Sequence, residues 1–320
     1  MPRLTLSVIM PNYNHSKYLP QALEAIVTQS RPPDEFIILD DASTDNSVEI
    51  MQQYAARYPF VSVVVHEKNL GVMASIADLT ALATGDFIYG AAADDFVFPG
   101  FFEQALALVE AHPETGVLQG QVVVVNQEGV ERFAVAVPTW PEPRCATPAE
   151  YLRDVVQGTP NWHFLSHSTI YRRLALREVG GFRQELGHVG DSFAMLAVAL
   201  KYGGCYAPQP CAADRQMAEG FAASRGRDTE RMLKLAETFT SLMRSPEFRD
   251  RFPEEFVDGW RSNFERWIFD CYVLRLRERF GESVVGRWRG RLLKQYLNLK
   301  VALLYGGDVV GYMTRHPAPR

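Results

Sequence analysis

Cysteine is scarce in this sequence, and long apolar runs are absent. The 320 residues contain four widely spaced cysteines and no CxxC pair, so we expect reduced thiols, with a Cys205–Cys211 bridge as a minor alternative. No run reaches the roughly 18 consecutive apolar residues that a membrane helix needs. The short apolar run near the first residue leads into a polar turn, which favours a first strand over a signal peptide.

Two common nucleotide motifs and a basic surplus are also missing. No GxGxxG follows the first apolar run and no GxxxxGK[ST] occurs, which argues against a dinucleotide-binding dehydrogenase and a P-loop enzyme. The net charge of −5 and the isoelectric point near 5.9 give no basic footprint for nucleic acid. Hydrophobic residues make up 47%, as in a globular protein with a substantial core.

The first 112 residues alternate between short apolar runs and segments with helical spacing. This alternation predicts βαβ units and a mostly parallel sheet flanked by helices. A hairpin is expected after them, around residues 126–129. The predicted strands are 4–10, 36–40, 61–66 and 86–90, the predicted helices are 17–29, 46–57, 71–84 and 101–112, and the hairpin strands are 117–125 and 131–137.

The rest of the chain has a different character. Residues 147–220 suggest short helices and loops, and residues 226–305 have a helical pattern throughout. Residues 261–320 carry twelve Lys or Arg and five Asp or Glu, a surplus of +7, so −12 remains for residues 1–260. We therefore predict a catalytic-type α/β domain over 1–222 and a helical region over 223–320. The basic helices suit packing or homodimerisation, with peripheral membrane contact as the alternative.

Polar residues follow all four predicted strands, at the end where ligands bind in open α/β sheets. The sets are Pro11-Asn12-Tyr13-Asn14, Asp40-Asp41, Asn69-Leu70-Gly71 and Asp94-Asp95. A pair such as Asp94-Asp95 offers oxygen ligands that Mg²⁺ or Mn²⁺ takes together with substrate phosphates. An acid such as Asp41 suits a base or ribose, and Tyr13 suits stacking on a base. Any one of these could be a solvated turn, but four at equivalent positions favour a shared cleft.

These blocks resemble a known family. VIMPNYNHSKYLPQALEAIVTQ, DDASTDNS, NLGV and ATGDFIYGAAADD, followed by STIYRRLALREVGGF and GHVGDSFAMLAVALKYGG, are similar in content and spacing to the inverting family-2 glycosyltransferases of the GT-A fold. The resemblance covers about residues 5–220 and ends near Arg215. It implies a GT-A type, Rossmann-like, mostly parallel sheet.

The resemblance also implies roles for individual residues. The metal ligand would be Asp95, with Mg²⁺ or Mn²⁺ as cofactor. The catalytic base would be Asp191, which by position alone could equally be the N-cap of the helix that follows. The remaining matches would bind the nucleotide-sugar: Pro11, Tyr13, Asn14, Asp40, Asp41, Asn69 and Asp94.

The chain departs from the family pattern at two places. Many relatives carry Arg-Asn where this chain has Ile76-Ala77, and an Asp where it has Ala92. A non-catalytic nucleotide-sugar-binding protein of the same fold is therefore kept as the alternative. A nucleotidyltransferase is less consistent with the residues, because PNYNHSKYL is not a Gly-rich basic loop.

The resemblance implies a metal-dependent, inverting enzyme of the hexosyltransferase class. The expected donor is a nucleotide-sugar, with a UDP-sugar favoured. The acceptor would be a hydroxyl of a surface polysaccharide, another glycan or a lipid-linked sugar, and no nucleic acid is involved. The expected location is the cytoplasm, with contact at the inner face of the plasma membrane as an option.

Two histidines and two tryptophans in the middle of the chain are further candidates for substrate contacts. His163 and His167 suit a structural role or a substrate contact better than a metal site. Trp140 and Trp162 suit packing at least as well as stacking on a sugar ring.

Overall fold

The four strands expected from the alternating pattern form one half of a sheet. The computed structural model describes residues 3–135, 140–156, 168–217, 228–280 and 296. The strands are β1 (Leu6–Asn12), β2 (Glu35–Asp40), β3 (Val61–Val65) and β4 (Phe87–Gly90). They lie parallel in the order β3-β2-β1-β4. Asn12 pairs with Asp40 at the carboxyl ends of β1 and β2, so the polar turns after these strands start side by side.

The connecting helices also match the sequence pattern. They are α1 (Leu19–Val27), α2 (Ser47–Arg57), α3 (Val72–Leu82) and α4 (Phe101–Ala111). The apolar face of α1 is fully buried in the core through Leu19, Leu23 and Ile26. Aromatic packing secures α4, where Phe102 lies 5.2 Å from Tyr89 of β4, between ring centroids. A strand whose two faces are both buried needs apolar side chains at every position, which explains why β1 and β2 are nearly continuous apolar runs.

The sheet continues through strands that the sequence pattern only partly predicted. They are β5 (Phe96–Val97), β6 (Val117–Val125), β7 (Glu131–Val135), β8 (Arg144–Ala146), β9 (Thr169–Arg172) and β10 (Gly204–Arg215). The β6–β7 hairpin is confirmed. The expectation of only short helices and loops over 147–220 was wrong, because β9 joins β4 to β6 and β10 lies beside β6. β9 runs antiparallel to both neighbours, so the sheet is mixed.

The helices of this second half cover the β6 side of the sheet. They are α5 (Pro148–Tyr151) with a π-helical turn (Leu152–Val156), α6 (Arg173–Glu178), a 3₁₀ segment (Gln184–Val189) and α7 (Gly190–Tyr202). α7 is buried from Phe193 to Ala199. Tyr151 links α5 to the sheet and to α7, since its hydroxyl donates to Gln119 of β6 at 2.5 Å and lies 3.2 Å from the sulfur of Met195 on α7.

The cysteine expectation was wrong for two of the four residues. Cys145 of β8 and Cys205 of β10 form a disulfide. The antiparallel register places these two residues directly opposite each other, although they are 60 positions apart in the chain. The alternative bridge to Cys211 is also wrong, because Cys211 is a buried free thiol on the same strand as Cys205.

The chain divides into two compact units, 1–217 and 218–320. The predicted boundary at 222 falls outside the described residues. In the second unit, α8 (Thr229–Met243) packs along α9 (Glu254–Phe280), which confirms a helical C-terminal region. Phe239 stacks on Trp260 with ring centroids 3.9 Å apart, and Arg261 donates to Glu237 at 2.6 Å. Among the described helices, none is both long and apolar enough to cross a bilayer.

Candidate active site

The turns after β1 and β2 are joined by a buried carboxylate. Asp40 is fully buried at the end of β2. Its Oδ2 accepts from the Asn12 amide at 2.8 Å and the Ser43 hydroxyl at 2.6 Å, and its Oδ1 accepts from the Ser43 N–H at 2.7 Å. The Asp40 side chain therefore holds the loop after β2 against the end of β1, and its role in nucleotide binding stays a prediction.

The other predicted residues of the first turn differ in exposure. Asn14 has a left-handed backbone (φ 58°), and its Oδ1 accepts from the Thr44 N–H at 2.8 Å. Tyr13 is 45% exposed, so its ring is available to a ligand. Pro11 lies within β1, paired with Leu39, and holds the start of the turn in the sheet. The turn thus presents one exposed aromatic ring, on a loop that a side-chain-to-backbone hydrogen bond ties to the turn after β2.

Asp41 organises the entrance to α3. Its two carboxylate oxygens accept from the Leu70 N–H at 2.8 Å and the Gly71 N–H at 2.7 Å, which places a negative charge at the amino end of the helix. Nδ1 of His66 lies 2.8 Å from the same carboxylate. Asn69 accepts from the Gly71 N–H at 3.1 Å and tightens the same turn.

The electrostatics of this cluster follow from its contacts. Burial raises the pKa of Asp41, but the hydrogen bonds from Leu70, His66 and Gly71 outweigh it and hold that pKa below its ordinary value. The hydrogen bond to Asp41 raises the pKa of His66, against the opposing effect of burial. His66 also contacts Asp78 through Nε2 at 3.1 Å. The two carboxylates thus favour the imidazolium form of His66 more than water does.

The acidic loop between β4 and β5 holds the predicted metal ligand. Asp95 is 8% exposed, and its Oδ1 accepts from the backbone N–H of Arg215 at 2.7 Å. Burial raises the pKa of Asp95 well above its ordinary value, and the charges of Asp94 and Asp214 add to this effect. Asp94 is half-buried, and its carbonyl accepts from Nε of Arg215 at 2.8 Å.

This loop fits a divalent cation that is shared with a ligand. Asp94 and Asp95 are consecutive in this loop, and the charge of Asp214 on β10 acts on Asp95. Carboxylate oxygens are the hard ligands that Mg²⁺ and Mn²⁺ prefer. Across the described ranges, no three His, Cys, Asp or Glu side chains form a closed metal cluster. A cation held here would therefore complete its shell with oxygens from water or a bound phosphate.

Asp191 lies in the first turn of α7. Its Oδ1 accepts from the Ser192 N–H at 2.7 Å, and its carbonyl accepts from the buried Tyr171 hydroxyl at 3.2 Å. The 3₁₀ segment just before it contacts α3, the helix whose amino end Asp41 holds. The alternative of an N-cap was wrong, because the N-cap position of α7 is Val189 and Asp191 lies inside the first turn. The role of Asp191 as base stays a prediction.

Sequence reasoning missed several residues of this site. Nothing in the pattern singled out His66, Ser43 or Tyr171, and Arg215 was noted without a role. Trp140 packs against Tyr151 and Tyr206, with centroids 6.3 Å and 6.4 Å apart, so packing is the observed alternative for that ring. His163, His167 and Trp162 lie outside the described residues.

The family follows from comparison with known proteins. The model of "Glycosyl transferase family 2" matches residues 7–180, more than half of the chain. The chain belongs to this family. The match contains the four strand-end turns described above, and it ends before Asp191 and Arg215.

Curated relatives are similar over part of their length. A protein called "Putative glycosyltransferase EpsE" in Bacillus subtilis (strain 168) is 34% identical over 180 residues, 56% of this chain and 60% of that protein. A poly(ribitol-phosphate) beta-glucosyltransferase of Bacillus spizizenii is 31% identical over 97 residues, 29% of this chain and 15% of that protein. This chain thus spans about three fifths of the length of EpsE.

Solved structures share the fold. The crystal structure of S. aureus TarS 1-349 superposes with a TM-score of 0.60 at 17% identity, covering 95% of this chain and 92% of that one. The mannosyltransferase PcManGT from Pyrobaculum calidifontis, in complex with GDP-Man and Mn²⁺, gives 0.59 at 18%, covering 98% and 87%. The chain therefore has the mixed α/β fold of GT-A glycosyltransferases, as expected from the sequence.

Proposed function

We propose that the protein is an inverting glycosyltransferase that uses a divalent cation and transfers a sugar from a nucleotide-sugar to a hydroxyl acceptor. The carrying observation is the set of carboxylates at the strand ends within the family-2 match. Asp40 and Asp41 shape the loops that would receive the nucleotide, and Asp95 lies at the turn that would receive its diphosphate. Tyr13 offers the exposed ring for the base.

The chemistry assigned to the chain has three parts. Asp94 and Asp95 would hold Mg²⁺ or Mn²⁺, which when bound neutralises charge on the leaving diphosphate. The loops built on Asn14, Asp41 and Asn69 would orient the donor. Asp191 would take the proton from the acceptor hydroxyl as its oxygen attacks the anomeric carbon, on the face opposite the leaving nucleoside diphosphate, which inverts the configuration.

A UDP-sugar is the favoured donor. TarS has been crystallised with UDP-GlcNAc, which supports this class, while PcManGT holds GDP-Man. The name of the poly(ribitol-phosphate) beta-glucosyltransferase supports a polymeric acceptor. A surface polysaccharide or another glycan as that acceptor stays a prediction. A lipid-linked sugar acceptor, the cytoplasmic location, the peripheral membrane contact and the homodimer through C-terminal helices stay predictions.

A non-catalytic donor-binding protein is the second candidate. Ile76 and Ala77 on α3, and Ala92 before the acidic loop, replace residues that many relatives carry. The two candidates differ in their need for Asp191. In Asp191→Asn, the enzyme would lose about a thousandfold in kcat with unchanged donor affinity, whereas a binder would show no turnover before or after the change.

Donor binding can be tested before any acceptor is known. We expect Tm to rise with UDP, UDP-sugars or the GDP counterparts in the presence of Mn²⁺, because ligands that bind the native state stabilise it. Asp95→Ala should abolish the Mn²⁺-dependent part. Asp86→Asn is the matched control, since Asp86 accepts from Thr5 beside the amino ends of β1 and β4, at the opposite end of the strands. A flat response of the wild type to every nucleotide would refute the donor site.

A further inference from the structure

Arg215 ends β10 in a position where one side chain reaches three separate parts of the chain. It is 5% exposed. Nε donates to the Asp94 carbonyl at 2.8 Å, Nη1 to the Gln127 carbonyl at 2.7 Å, and Nη2 to Oε1 of Gln21 at 2.7 Å. These acceptors belong to the acidic loop, the turn between β6 and β7, and α1. The planar guanidinium therefore holds the acidic loop against two elements of the scaffold.

The backbone of the same residue holds the second acid of the pair. The N–H of Arg215 donates to Oδ1 of Asp95 at 2.7 Å, although the two residues are 120 positions apart. Arg215 thus fixes the main chain at Asp94 through its side chain and the carboxylate of Asp95 through its main chain.

The charge of Arg215 has no ion-pair partner within the described ranges. Its hydrogen-bond acceptors are neutral oxygens, and the rings of Tyr18 and Phe96 lie 4.9 Å and 5.8 Å from Cζ. A buried cation among neutral groups costs free energy that a neutral side chain would avoid. The charge of Arg215 attracts the Asp95 carboxylate, whereas the charges of Asp94 and Asp214 repel it.

We propose that Arg215 is a positioning residue for the divalent cation: its guanidinium and its N–H hold the Asp94–Asp95 loop in the geometry that binds the metal with the diphosphate of the donor. This inference rests on the proposed function, because the cation arrives with the nucleotide. It adds a residue 120 positions beyond the acidic pair, outside the part that the family model matches.

Arg215→Lys tests the geometry with the charge retained. A lysine keeps the backbone N–H, but its single nitrogen does not reach Asp94, Gln127 and Gln21 together. We expect the Kd for Mn²⁺, measured by electron paramagnetic resonance with saturating UDP or GDP, to rise about tenfold. The matched control is Arg172→Lys, because the guanidinium of Arg172 also donates to backbone carbonyls (Thr115 and Pro113) but at the opposite end of the strands.

The outcomes separate the inference from the proposed function. Weaker Mn²⁺ binding in Arg215→Lys with an unchanged Kd in Arg172→Lys supports the positioning role. If both variants bind Mn²⁺ with the same Kd and both have a lowered Tm, Arg215 contributes only to stability. That result would overturn the positioning role and leave the proposed function standing. A wild type that binds no Mn²⁺ with either nucleotide would overturn the inference and the donor site together.

A milder variant covers the case in which Arg215→Lys does not fold. Gln21→Leu removes one acceptor at an exposed position of α1 and leaves the arginine in place. We expect roughly a threefold rise in the Kd for Mn²⁺ with the nucleotide, since a loosened guanidinium still holds the loop through Asp94 and Gln127. An unchanged Kd in this variant would contradict the proposal.

Discussion

His66 should make the stability of the α3 entrance depend on pH. Its Nδ1 lies 2.8 Å from Asp41, which is 3% exposed, and its Nε2 lies 3.1 Å from Asp78, whose side chain is 56% exposed. The contact with the buried acid is the strong one, because exposed ion pairs contribute little. A hydrogen bond between charged, buried groups contributes about 2 kcal/mol to the free energy of unfolding.

The direction of the pH effect follows from the two shifts. The pKa of His66 is raised, so its contribution is complete below its unfolded pKa of 6.5 and is lost as the pH rises through the higher folded pKa. The pKa of Asp41 is lowered, so its contribution is complete above 3.8 and is lost as the pH falls through the lower folded pKa. Between 3.8 and 6.5 both contributions are therefore present.

The assay compares wild type with His66→Gln at two pH values. Near pH 5.5 we expect the variant to be about 1–2 kcal/mol less stable in urea. At a pH above the raised folded pKa of His66 the difference should shrink to about half, because the wild-type imidazole is then neutral. Hydrogen exchange at the amides of Leu70 and Gly71, which donate to Asp41, gives a local measure of the same opening.

The control is another histidine beside an acid. Nδ1 of His112 lies 3.6 Å from Glu114, but the side chains are 44% and 70% exposed, so His112→Gln should change stability by less than about 0.5 kcal/mol at either pH. A stability difference for His66→Gln that stays constant from low to high pH, or grows with pH, would refute the assignment of a charged His66.

Three further predictions concern the loop, the base and the disulfide. Ala42 has a left-handed backbone (φ 61°), so Ala42→Gly should relieve strain by about 1 kcal/mol and raise Tm by roughly 2 °C in differential scanning fluorimetry. An unchanged or lower Tm would contradict this. Tyr171→Phe removes the hydroxyl that donates to the Asp191 carbonyl, and should lower kcat by roughly threefold with unchanged donor affinity. A change in donor affinity without a change in kcat would contradict this role of Tyr171. A reducing agent should lower the free energy of unfolding of the wild type by about 4 kcal/mol, because it opens the Cys145–Cys205 bridge, which closes a loop of 60 positions. The same reducing agent should leave the stability of Cys145→Ser unchanged, because that variant has no bridge to lose. Thiol alkylation before and after reduction would show whether the bridge forms.

The sequence predicted the first half of the sheet because its periodicity is local. The four strands β1 to β4 and the four helices α1 to α4 lie within a few residues of their expected bounds, whereas the two-residue strand β5 was not predicted. β10 was missed because Pro208 and Pro210 interrupt its pattern. The structure accommodates them with shifts in the register against β6 between Ala207 and Ala212.

The sequence predicted which residues belong to the candidate site better than it predicted the hydrogen bonds that those residues make. The resemblance brought together Asp40, Asp41 and Asp95 as a donor site, and the structure buries all three. It also gives Asp40 and Asp41 hydrogen-bond partners that hold loops in shape. Whether Asp191 is the base stays a prediction, since its visible contacts are those of a first helical turn.

The sequence by itself determined the βαβ order, the carboxylates at the strand ends and the family, because each is written within short segments of chain. Tertiary structure alone decided the partners of those carboxylates. His66 meets Asp41 across 25 positions, and Arg215 meets Asp94 across 121. Hydrogen bonds between distant residues depend on strand order and register, which form only when the whole sheet is assembled.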